Sequence, residues 1–143
     1  MRLAFVAADR HVFNGQVNGR PLRLLLGFED GWTLRLGVAG DGFRMTADGL
    51  SLDGPFELEA REGVVVEDVT RALFAELADE EVRDIRKLEL AKEQVGVKLL
   101  LGNGDDFHFW VDDDELFWGG EAALMRHEWL DNLVPVQGSR VKC

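Results

Sequence analysis

The sequence predicts an α+β domain in which two antiparallel β-meanders pack with about two helices. Two stretches alternate apolar and polar residues about a glycine-containing turn, and they resemble each other closely. Apolar residues with helical spacing occur between these stretches and after them. The 143 residues fit one domain, 1–143, because a domain usually takes roughly 100–200 residues.

The first hairpin is predicted over residues 22–38, where apolar side chains alternate with arginine, glycine and threonine. Its loop, Glu29-Asp30-Gly31, ends in glycine, as three-residue hairpin loops favour. The resulting register pairs residues that share one face: Phe28 with Trp32, Leu26 with Leu34, and Leu24 with Leu36. We expect Trp32 and Leu34 to be buried.

The second hairpin is predicted over residues 97–111, with Asn103-Gly104-Asp105 as its loop. Its register pairs Leu101 with Phe107 and Leu99 with Phe109. We expect both phenylalanines to be buried on the face that these pairs share. A further strand is predicted just before this hairpin, around residues 86–91.

The two hairpins match at a constant offset of 75 residues. Residues 22–27 read Leu-Arg-Leu-Leu-Leu-Gly, and residues 97–102 read Val-Lys-Leu-Leu-Leu-Gly. This predicts an internal duplication with half-repeats 1–66 and 83–118. The alternative is that any two amphipathic hairpins look alike.

Two helices are predicted. Val69, Leu73 and Leu77 recur every fourth residue, and Asp68 is a suitable N-cap, so the first helix should span residues 68–78. The second should span residues 121–132, with its apolar residues along one broad face.

The charge of the chain restricts its partners. Sixteen Lys and Arg residues oppose 27 Asp and Glu residues, for a formal net charge of -11. Such a field repels phosphates and anionic lipids, so we expect no direct nucleic-acid binding and no membrane association, and it favours a basic partner protein. No apolar run approaches the roughly 20 residues of a membrane-spanning helix. The lone cysteine, Cys143, excludes an intramolecular disulfide and is typical of a cytoplasmic protein.

The sequence contains no recognisable catalytic constellation. Ser51 and Ser139 lie outside any nucleophile motif, and the three histidines lack metal-site spacings. The glycines around Asn103 lead into acidic residues, where a phosphate loop needs amide donors at a helix start. We therefore expect no catalytic, cofactor-binding or metal-binding residues, no cofactor, and a non-enzymatic protein.

Surface recognition is the remaining possibility. Trp110 and Phe117 should face each other across two strands, beside a strongly acidic turn. The candidate interface residues are Trp110, Asp112, Asp113, Asp114, Glu115 and Phe117. An exposed aromatic patch with an acidic rim resembles a protein interface. The alternative is that the second helix covers this face, so that Trp110 belongs to a core.

In size, charge and lack of a catalytic motif, the whole chain resembles the small acidic immunity proteins with which bacteria neutralise toxins. More loosely, it resembles phage-encoded inhibitors of defence nucleases. The resemblance implies a cytoplasmic inhibitor that occludes a basic partner, such as a toxin or nuclease. Two alternatives stay open. One is a small ligand-binding module or enzyme with a scattered site, and the other is a structural or regulatory subunit that forms a homodimer.

Overall fold

A computed structural model describes residues 1–40, 42–48, 57–59, 62–129 and 136–140. This part is mostly antiparallel sheet, which confirms an α+β fold with two meanders. The strands of the first sheet are β1 (Leu3–Phe13), β2 (Gln16–Phe28), β3 (Thr33–Val38), β4 (Met45–Asp48), β5 (Glu57–Glu59) and β6 (Glu62–Asp68). Their order across the sheet is β4-β3-β2-β1-β6-β5.

The second sheet has the same plan with five strands. They are β7 (Val82–Leu90), β8 (Glu93–Leu101), β9 (Asp106–Asp112), β10 (Glu115–Gly120) and β11 (Val136–Arg140). Their order is β10-β9-β8-β7-β11. In both sheets a four-stranded meander is followed by a later strand that pairs with the outer edge of the meander's first strand.

The main core lies between the two sheets, because alternate residues of each sheet point inward. Leu24 and Leu34 from the first sheet, and Leu99 and Phe109 from the second, are fully buried. Phe107 is also buried, as expected. Trp32 is only partly buried and stacks on Phe28, with ring centroids 5.1 Å apart.

Both predicted hairpins are present, and the register of the first is confirmed by its ladder, in which Leu26 pairs with Leu34. In the second hairpin Leu99 pairs with Phe107, whereas the sequence predicted Leu101 for this partner. The loop is Gly102-Asn103-Gly104, closed by a hydrogen bond from Leu101 N–H to the Asp105 carbonyl oxygen. This two-residue slip leaves the predicted inward face unchanged, because side chains alternate with a period of two.

The two hairpin turns have the same hydrogen bonds at an offset of 73 residues. Phe28 N–H donates to the Trp32 carbonyl oxygen as Leu101 N–H donates to that of Asp105, at 2.9 Å in both. The side chains of Asp30 and Asn103 each accept a hydrogen bond from the amide two residues later. The offset of 75 predicted from the sequence is therefore two residues too long here.

The first strands of the two halves also match. A bulge lies between Leu3 and Phe5 in β1 and between Val82 and Asp84 in β7, at equivalent places in their ladders. An antiparallel bridge from Arg2 to Glu81 joins the starts of these strands. These matches support an internal duplication, which stays a prediction.

Both helices are shorter than predicted. The first is α1 (Thr70–Leu73), followed by a 3₁₀ turn (Ala75–Leu77). Between them Phe74 has non-helical angles, φ -130° and ψ 35°, and its ring is buried in the main core. The second helix is α2 (Glu121–Arg126), and predicted residues 130–132 lie outside the described part. No helix among the described residues is long and apolar enough to span a membrane.

Candidate functional site

The outer face of the second sheet carries a second core. It consists of Leu88, Val95, Trp110, Leu124 and Trp129. Helix α2 and the segment after it cover this face, because Leu124 and Trp129 pack onto the strands. The face is therefore largely removed from solvent.

Trp110 belongs to this second core and is only 3% exposed. Trp110 and Phe117 are paired across β9 and β10, which confirms the predicted cross-strand pair. Their rings are stacked, 6.0 Å apart and inclined by 14°. The structure thus matches the alternative in which Trp110 is core, and its indole is not available as a surface anchor. Phe117 is partly exposed.

Asp112 is also buried, at 6% exposure, although the sequence predicted an exposed carboxylate. The Nε2 atom of His127 lies 2.9 Å from Asp112 Oδ2. His127 follows the last residue of α2 and has an extended ψ of 132°. A buried carboxylate without a partner is costly, and this histidine supplies one.

The next three candidates form an exposed acidic edge. Asp113, Asp114 and Glu115 are all exposed. Asp113 and Asp114 are the two turn residues between β9 and β10, and both have left-handed φ values of 49° and 63°. Two consecutive left-handed residues are typical of the type I′ turn, whose twist suits a tight hairpin. Asp tolerates this conformation better than most non-glycine residues.

The acidic turn contacts a turn from the other sheet. The Asp114 N–H donates to the Gly42 carbonyl oxygen at 2.8 Å. Phe43, the residue after Gly42, is 45% exposed and lies in the connection between β3 and β4. We call the set Gly42, Phe43, Asp113 and Asp114 the turn junction. It places an exposed aromatic residue next in sequence to the glycine on which the acidic turn rests.

No protein-family model, curated protein or solved structure matches this chain. Its function is therefore inferred from its own residues.

A polar row lies further along the outer face of the second sheet. Lys98 Nζ forms an ion pair with Asp106 Oδ2 at 3.0 Å, and Lys98 is 8% exposed. Lys98 pairs across the strands with His108, which is 1% exposed. Burial and then the nearby Lys98 charge lower the pKa of His108, outweighing the opposite influence of Asp106 and Glu121. His108 is thus held neutral.

Two surface clefts have volumes in the range of small-molecule sites. One, of about 370 Å³, is lined largely by the β8–β9 turn and the start of α2, including Asp105, Asp106 and Glu121. The other, of about 420 Å³, lies beside Asp68 and Thr70. Neither His108 nor His127 lines either cleft. Among the described residues no three His, Cys, Asp or Glu side chains are grouped so that they could hold a metal ion.

Two features of this region were missed from the sequence. Phe43 is the exposed aromatic residue, and its only signal was its place beside the turn glycine Gly42. The contact of His127 with Asp112 joins residues 15 apart that belong to different elements. No local spacing pattern predicts such a contact.

Proposed function

We propose that this protein is a non-enzymatic cytoplasmic binding protein that occludes a basic partner protein, in the manner of an immunity protein or inhibitor. The observation that carries the proposal is the turn junction. There the carboxylates of Asp113 and Asp114 are exposed, and the nearby Phe43 is 45% exposed. An aromatic residue with a charged rim is a common form of protein-binding surface.

The charge of the whole chain supports the same partner class. A net charge of -11 attracts a basic protein from a distance and repels nucleic acid. The two exposed aspartates concentrate this charge on a tight hairpin turn that is hydrogen-bonded to Gly42, and groups that are held in place before binding lose less conformational entropy on association. An acidic surface of this kind speeds encounter with a basic cleft, which it then blocks.

The sequence suggested Trp110 as the aromatic anchor, but that ring is buried. Phe43 takes its place in the proposed surface, and it comes from the other sheet. Asp112 supports the surface from beneath and does not contact the partner. Glu115 and the partly exposed Phe117 lie at the margin of the acidic turn.

For the test, the partner is first sought among the basic proteins that neighbouring genes encode, because an inhibitor is commonly encoded beside its target. Association is measured by stopped flow for the wild type, for Asp113→Asn with Asp114→Asn, and for a control, Glu29→Gln with Glu76→Gln. Both double variants remove two exposed charges. Asparagine also tolerates the left-handed turn.

We expect the turn variant to associate about tenfold more slowly at low salt, and the control to change much less. The difference should shrink in high salt, because the screening length falls from about 30 Å at 0.01 M to about 3 Å at 1 M. Equal rates for the two variants at low salt would contradict the proposal. Light scattering separates it from the homodimer alternative, which predicts a dimer in the absence of any partner.

A further inference from the structure

The acidic turn is held from both sides. On one side the Asp114 amide donates to Gly42. On the other side Asp112, the last residue of β9, contacts His127 through its carboxylate. Between these contacts Asp113 and Asp114 keep left-handed φ values, which are uncommon for non-glycine residues.

His127 occupies a box of aromatic rings. The centroid of its imidazole lies 4.7 Å from Phe117, 4.8 Å from Trp129 and 5.5 Å from Trp110, and all three contacts are edge-to-face. These rings fix the position of the imidazole, and its Nε2 then lies at hydrogen-bonding distance from Asp112. The side chain of His127 is only 14% exposed, so water reaches this contact poorly.

Removing the imidazole nitrogen would leave the Asp112 carboxylate buried beside apolar rings. An ionised group in such a place turns toward water or finds another partner. Asp112 immediately precedes Asp113 in the sequence, so a movement of Asp112 would displace the start of the turn. The segment from His127 to Trp129 therefore packs on the outer face of the second sheet, and its histidine holds the C-terminal end of β9 through Asp112.

We propose that His127 is a positioning residue for the acidic turn: through Asp112 it fixes the conformation in which Asp113 and Asp114 face the partner. This inference rests on the proposed function for its consequence in binding. Its structural part, the dependence of the turn on His127, is measured without any partner.

The first experiment measures amide hydrogen exchange in the full chain. His127→Phe keeps an aromatic ring in the box and removes Nε2, whereas His127→Gln restores a nitrogen donor toward Asp112. Met125→Ala is the control, because Met125 lies two residues before His127, is 64% exposed, carries no charge and is not one of the rings around the imidazole. The amide of Val69, which donates to the Val6 carbonyl oxygen in the main core, is the internal reference for global opening, because both residues are buried.

We expect the Asp114 amide to exchange about tenfold faster or more in His127→Phe, because this variant removes the nitrogen that lies at hydrogen-bonding distance from Asp112. His127→Gln should recover most of the protection, and Met125→Ala should resemble the wild type. Equal acceleration of the Val69 amide would mean general loss of stability and would overturn the inference. An unchanged Asp114 amide would overturn it as well.

The second experiment measures association of His127→Phe with the same basic protein. The inference requires a slower rate for His127→Phe than for Met125→Ala at low salt. Faster exchange at Asp114 with an unchanged association rate would overturn the positioning role. If Asp113→Asn with Asp114→Asn associates as fast as its control at low salt, the proposed function is contradicted instead. The failure of the inference and the failure of the proposed function are therefore distinguishable.

Discussion

Replacing Trp110 by alanine tests whether this residue stabilises the fold or binds a partner. A buried aromatic side chain removes about 150–250 Å² from water, and Trp110 is 3% exposed. At about 25 cal/mol per Å² this corresponds to roughly 4–6 kcal/mol. The indole Nε1 atom is buried without a hydrogen-bond partner among the residues that the structure describes, and its removal regains about 1–3 kcal/mol of desolvation cost. We therefore expect Trp110→Ala to lower the free energy of unfolding by about 3–4 kcal/mol, within the usual range for such truncations.

The assay is urea unfolding followed by far-ultraviolet circular dichroism, with Trp110→Phe as the control. Phenylalanine keeps most of the contact with Phe117 and removes the unpartnered N–H, so this variant should lose less than about 1.5 kcal/mol. A loss below about 1 kcal/mol for Trp110→Ala, together with weaker binding of a partner, would refute the assignment to the core. Lost stability with unchanged affinity of the folded fraction would support it.

Three further predictions concern other positions. Burial lowers the pKa of His108 in the folded protein, so the unfolded chain binds a proton more readily. The free energy of unfolding should therefore fall as the pH drops below about 6.5. In urea titrations at several pH values, His108→Gln should flatten this dependence. Phe109→Ala, at a fully buried site, should cost about 3–5 kcal/mol in the same assay. Gly42→Ala should lower the melting temperature more than Gly31→Ala. Both glycines have positive φ, but only at Gly42 would the added methyl group collide with Asp114. Equal losses of melting temperature in the two variants would contradict this prediction.

The hairpins were predictable because large apolar residues recur at every second position of each strand and each loop contains a glycine. The loop of the second hairpin was ambiguous, since Gly102 and Gly104 flank Asn103 and either placement keeps the same face inward. Strand β1 was missed, because the polar pair Asp9 and Arg10 interrupts its apolar residues. Asp9 is nevertheless fully buried, where it forms an ion pair with Arg23. A long-range partner of this kind leaves no trace in local patterning.

The predicted helices were too long for a related reason. The four-residue spacing around Val69 suggested a continuous helix, but Phe74 leaves helical geometry so that its ring packs against Phe107, Phe109 and Trp118. Tertiary packing of one large ring outweighs the small helix propensities of its neighbours. Tertiary packing likewise outweighs helix propensity after α2, where Trp129 is part of the second core. Whether Trp110 was core or surface depended on this covering segment, so the sequence left that question open.

The turn junction also lies where the two halves of the chain differ. Strands β3 and β4 correspond to β9 and β10 in the shared order of the sheets, so their connecting turns are equivalent. One connection is a two-residue acidic turn, and the other places six residues between Val38 and Met45, among them Phe43. The contact of Asp114 with Gly42 brings these unequal turns together. If the halves arose by duplication, the aromatic and acidic parts of the proposed surface come from divergence at a single equivalent position. Neither half alone would carry both parts.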